Sequence, residues 1–150
     1  MKVAIFGQAF YPDSAKYLKQ IIEVFEQSKV NYFFEENYLK LIKTDGYLPD
    51  DKKLQTFKKL DESFDLFFSL GGDGTILASV KFVKGLDIPI VGINTGRLGF
   101  LATIHKEEIS SYVIDILKGN FSISERSLLE VTTNSEYFEK AEFSYALNEV

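Results

Sequence analysis

No cysteine occurs in this sequence, so it has no disulfide, no thiol nucleophile and no thiolate metal site. One histidine is present, His105, which leaves no histidine cluster for zinc and no catalytic histidine pair. A basic excess is missing too: 17 Lys and Arg stand against 22 Asp and Glu, a formal charge of -5. Nucleic-acid footprints are normally basic, so nucleic acid is not an expected partner. No apolar run is long enough to span a bilayer and no signal peptide is visible. Membranes are therefore not expected partners, and a cytoplasmic location is the default expectation. No repeat or low-complexity tract is visible. What remains is 150 residues, enough for one domain with a real core.

The chain is organised around Leu70-Gly71-Gly72-Asp73-Gly74-Thr75. An apolar run, 64–69, precedes it and a helical pattern, 75–84, follows. Open α/β sheets place their ligand crevice at such strand-to-helix junctions. Gly71, Gly72 and Gly74 allow positive φ and close approach of a ligand. Amides opening the next helix favour anions such as phosphate. Asp73 alone would repel phosphate. It fits such a loop if it holds a hydroxyl that attacks phosphorus, or helps hold Mg²⁺. It could instead simply cap the helix that begins at Thr75.

Around this loop the pattern alternates between strand and helix. Residues 2–6 and 30–34 read as buried strands. Between them Leu18, Ile21, Ile22 and Phe25 mark one face of a helix, with Asp13 or Ser14 as its cap. Residues 37–43 predict a short helix with Leu39 and Ile42 inward. Residues 44–53 read as a loop, and 54–60 as a helical turn or two. Asp50 and Asp51 read as solvated loop residues. Residues 88–93 predict another buried strand, leading into a second glycine loop, Asn94-Thr95-Gly96-Arg97-Leu98-Gly99-Phe100-Leu101. If both strands are parallel, both loops open on one sheet edge, and a small-molecule site lies between them. Residues 106–118 predict a helix stopped by Gly119. Residues 127–133 and 137–150 are strand-like, joined by Asn134-Ser135. The expected fold is α/β: a Rossmann-like parallel sheet with flanking helices over residues 1–125, then the first strands of a β-rich second domain over 126–150.

The first loop is neither a Walker loop nor a Rossmann fingerprint, because Gly74 is followed by Thr75-Ile76 and the spacing is not G-x-G-x-x-G. Charge to balance a bound phosphate would come from Mg²⁺ or from another segment, with Arg97 as a candidate. Arg97 could equally lay its stem on Leu98 or Phe100. Periodicity favours Phe100 as core over an aromatic wall for a base. Asn148 and Glu149 read as a turn or solvent edge, and His105 carries no assigned role.

Taken together, Leu70-Gly71-Gly72-Asp73-Gly74-Thr75, Gly92-Ile93-Asn94-Thr95-Gly96-Arg97-Leu98-Gly99-Phe100-Leu101 and Ala146-Leu147-Asn148-Glu149 resemble the NAD kinases, in order and separation. The first element alone is shared with diacylglycerol and sphingosine kinases; the second is more specific. The resemblance implies phosphoryl transfer from ATP, or polyphosphate, to the 2′-hydroxyl of the adenosine ribose of NAD, giving NADP. It implies Asp73 as proton acceptor, with Gly71, Gly72, Gly74 and Thr75 at the nucleotide. Phe100 would lie near the adenine, and Asn148 and Glu149 would hold the dinucleotide. A divalent cation, usually Mg²⁺, and a homo-oligomer are also implied. Members of that family continue for about as many residues again, so the resemblance implies a truncated piece, inactive alone. Two alternatives stay open. A lipid kinase predicts a Gly-Thr-x-Asn-Asp-type element where 94–99 stand, and a non-catalytic nucleotide-binding module predicts the crevice without turnover.

Overall fold

The computed structural model describes residues 1–44, 46–48, 54–95, 99–102, 104, 108–130 and 145–147. Strand β1, Lys2–Phe6, alternates between two covered faces. Val3 and Ile5 enter one core while Ala4 and Phe6 enter the other, as expected for a strand sandwiched by helices. Helix α1, Ala15–Gln27, buries Leu18, Ile21, Ile22 and Phe25 on the first face. A 3-10 turn, Pro12–Ser14, leads into it. Ser14 occupies the cap position, yet its side chain makes no capping hydrogen bond.

Strand β2, Asn31–Glu35, passes directly into helix α2, Glu36–Thr44. Glu35 is buried at that junction, and its charge is met locally. Its carboxylate accepts the Tyr38 N–H at 2.9 Å and the Asn37 Nδ2 at 3.1 Å, satisfying a donor the helix start would leave orphaned. The helical turn expected over 54–60 is instead strand β3, Gln55–Phe57. It runs parallel to β2, with Phe33, Phe34 and Glu35 opposite Gln55, Thr56 and Phe57. Three residues are too few to show a period, so the pairing with β2 and burial of Phe57 decide the outcome.

Strand β4, Leu66–Gly71, helix α3, Asp73–Val83, strand β5, Ile90–Asn94, and helix α4, Ile109–Leu117, follow. The five-stranded sheet has the order β3-β2-β1-β4-β5, with every pairing parallel. From β1 the chain adds strands in one direction, so α1 and α2 share a face under the right-handed crossover rule. After β4 the direction reverses, and α3 covers the opposite face. There Phe6, Phe57, Phe67 and Phe82 gather, with ring centroids 5.0–6.2 Å apart. The strand order therefore reverses between β1 and β4, where open α/β sheets leave a crevice.

Beyond α4, strand β6, Leu129–Glu130, pairs antiparallel with strand β7, Tyr145–Ala146, in a separate sheet. The expected turn at Asn134-Ser135 lies outside the described residues. Among the described residues, no helix is long and apolar enough to cross a membrane.

Candidate active site

The first glycine loop closes β4 and opens α3. Gly72, in an extended conformation, stands at the cap position, and its carbonyl accepts the N–H groups of Thr75 at 3.0 Å and Ile76 at 3.3 Å. Asp73 is thus the first residue of the helix, two residues earlier than the start expected at Thr75, and its side chain does not cap it. Of the three glycines, only Gly71 has a positive φ, 157°. A Cβ there would strike the Thr75 side chain, so the packing of Thr75 already accounts for that glycine. Around Gly72 and Gly74 an added Cβ meets no heavy atom within 4 Å. Buried Ser79 fastens α3 to β4, its Oγ 2.8 Å from the Thr75 carbonyl and 3.0 Å from Ser69 Oγ.

The second glycine loop leaves β5 on the same edge, because β4 and β5 are parallel. It turns back to Asp73. The Phe100 N–H donates to Asp73 Oδ2 at 2.7 Å, and Leu101 and Ala102 N–H donate to Oδ1 at 2.9 and 3.2 Å. The chain then rejoins β5 through a bridge between Ile93 and Ile104, with the Asn94 N–H on the Ile104 carbonyl at 3.0 Å. Gly92 admits this return: a Cβ there would press on the Ile76 side chain and lie 3.2 Å from Ala102 Cα. The two loops expected to share an edge do so, and Asp73 ties them together.

Those amides fix the electrostatics. They hold the Asp73 carboxyl below the usual carboxylate range, Phe100 contributing most and Leu101 next; partial burial pushes the other way, and Ala102 adds to the lowering. The start of α3 also favours a negative charge there. Asp73 is therefore ionised at neutral pH and is a weak base with a fixed direction. Phe100 is 90% exposed, which overturns its expected place in the core. Its N–H points inward to Asp73, Ala102 takes the buried position, and the ring is left to project outward.

Residues 12–121 match the family described as ATP-NAD kinase N-terminal domain. The chain belongs to the NAD kinase family. It is 47% identical over 151 residues to the NAD kinase of Christiangramia forsetii, covering 100% of this chain and 51% of that protein. It is 39% identical over 153 residues to the NAD kinase of Flavobacterium johnsoniae, covering 100% of this chain and 51% of that protein. The chain thus spans about half the length of the curated relatives it matches. A crystal structure of yeast NADH kinase complexed with NADH superposes with a TM-score of 0.68 at 24% identity, covering 87% of this chain and 39% of that chain. That likeness shows the shared α/β fold. The family match sets aside the lipid-kinase alternative.

Of the other residues the NAD kinase resemblance singled out, Thr75 is buried beneath the first loop, beside Gly71. Arg97, His105, Asn148 and Glu149 lie outside the described residues, as do Asp50 and Asp51. Among the described residues, no group of three His, Cys, Asp or Glu side chains could hold a metal ion. Asp73, the carboxylate that the described residues place at the loops' meeting point, is engaged by N–H donors on both oxygens. Among the described residues, side chains alone do not build a cation site. A shallow depression of about 570 Å³, lined by Leu60, Asp61, Glu62, Ser63 and Leu86, lies at the opposite, amino-terminal edge of the sheet. Sequence reasoning missed the backbone amides of residues 100–102 as Asp73's partners. The signal available was a glycine, Gly99, immediately before them.

Proposed function

We propose that this chain forms part of an enzyme transferring a phosphoryl group from ATP, or polyphosphate, to the 2′-hydroxyl of the adenosine ribose of NAD, giving NADP. The observation that carries the reading is Asp73, held at the carboxyl edge of the sheet between two glycine loops. Phosphoryl transfer passes through a loose transition state, so the acceptor hydroxyl needs aiming more than early deprotonation. A weak, rigidly held carboxylate suits that task. Oδ2 accepts one amide among the described residues and Oδ1 accepts two, so Oδ2 is the oxygen offered to the ribose hydroxyl. The open space at Gly72 and Gly74 lets the nucleotide approach the backbone, and α3's first amides favour its phosphates.

In this reading Phe100 offers an exposed ring to the adenine, and Asn148 and Glu149 hold the dinucleotide from the β-rich region beginning near residue 126. Mg²⁺ would come with the donor's phosphates and would supply charge to balance them. A cytoplasmic homo-oligomer without nucleic-acid or membrane partners completes the proposal. Because the curated relatives are about twice as long, the 150 residues alone are expected to form no detectable NADP.

The test is Asp73→Asn in a chain extended to the relatives' length. The reading predicts a loss of kcat of about 10²–10⁴-fold, the span of general-base contributions, with NAD binding kept. An unchanged kcat would remove Asp73 as acceptor and favour the non-catalytic binding module.

A further inference from the structure

The surroundings of Gly99 call for glycine. A Cβ built on Gly99 falls on the Asp73 carboxylate and overlaps its carbon and both oxygens. The next three residues are the ones whose N–H groups grip that carboxylate. A side chain at 99 could be accommodated only by moving Asp73 or by lifting the loop away, and either motion breaks the grip.

We infer that Gly99 is a positioning residue for the reaction: its missing side chain lets the amides of Phe100, Leu101 and Ala102 close on Asp73 and aim its carboxylate. This rests on the kinase reading above, in which Asp73 takes the hydroxyl proton. Misplacing a reacting group by about 1 Å can cost roughly 100-fold in rate. Releasing the amides also withdraws the donors that keep Asp73 acidic. Gly99→Ala should therefore make Asp73 both worse aimed and easier to protonate.

Two measurements test this. The first is a double-mutant cycle in the 150-residue chain, read by denaturant midpoint, pairing Gly99→Ala with Asp73→Ala. The expected result is a clear fall in midpoint for Gly99→Ala in the parent and little further fall in the Asp73→Ala background. Equal falls in both backgrounds overturn the proposal. Should Gly99→Ala not fold, recovery of folding on adding Asp73→Ala supports the proposal, and continued unfolding overturns it. The second uses the chain extended to the relatives' length. Gly99→Ala should lower kcat about 100-fold, leave KM for NAD nearly unchanged and move the acid limb of the kcat profile upward in pH. A merely structural role would not move that limb. Asp73→Asn run in parallel separates the two ideas. If it abolishes turnover while Gly99→Ala leaves rate and pH limb untouched, the inference about Gly99 fails and the kinase reading stands. If Asp73→Asn leaves turnover intact, the kinase reading of Asp73 fails, whatever the cycle shows.

Discussion

Gly74 is a glycine that neither stability nor packing requires. It sits in the first turn of α3, where glycine costs about 0.5–1 kcal/mol relative to alanine, and no neighbouring atom forbids a side chain. Gly74→Ala is expected to raise stability by up to ~1 kcal/mol in denaturant melts and to weaken NAD binding in calorimetry of the extended chain. Weaker binding without lost stability would mark the space as the nucleotide's. The Phe100 ring likewise adds little to the packing. Its exposure means that Phe100→Ala should leave stability within ~0.5 kcal/mol. Aromatic–base stacking is worth roughly 1–3 kcal/mol, so the same change should reduce NAD affinity by about 5- to 150-fold. NAD affinity unchanged by Phe100→Ala would remove the ring from the adenine.

Among the elements, β4 and α3 carry the site, and their packing was legible in the sequence. The run 64–69 and the pattern after Thr75 marked a buried strand and a helix, because burial on both faces leaves a continuous apolar string. Both glycine loops were legible for the same reason: each interrupts such a string. The strand β3 was not, since its three residues gain their conformation from β2 rather than from their own pattern. Nor was the grip of residues 100–102 on Asp73. Backbone amides carry no side-chain signature, and only the return of the chain beside β5 brings them there. The same blindness put Phe100 in the core, since apolar character does not reveal which way an irregular loop turns a ring. At this scale the phenylalanines under α3 hold the junction. Phe67 is fully buried and touches the rings of Phe6, Phe57 and Phe82. Phe67→Ala should cost about 3–5 kcal/mol in urea unfolding, and a loss below 1 kcal/mol would contradict that packing.

Among the described residues, depressed carboxylates give the whole molecule a pH-dependent stability. Asp73 is lowered by the loop amides, and Asp61 by hydrogen bonds from Ser63 and by Lys2. Their stabilisation is complete above the ordinary carboxylate value of about 4 and is lost as pH falls through the lower folded-state values. The urea midpoint should therefore be flat from neutral pH to about 5 and then decline, and Asp73→Asn should shallow that decline. The two glycine loops act as one unit because Asp73 joins them, which the net charge and the sheet order alone do not impose. The most direct measurement is an acid titration of the 150-residue chain, following the amide proton shifts of Phe100, Leu101 and Ala102. Joined to one carboxylate, the three should move together with a single midpoint below the ordinary carboxylate value, and the movement should vanish in Asp73→Asn. Three independent midpoints, or the same movement in Asp73→Asn, would contradict the joining of the two loops at Asp73.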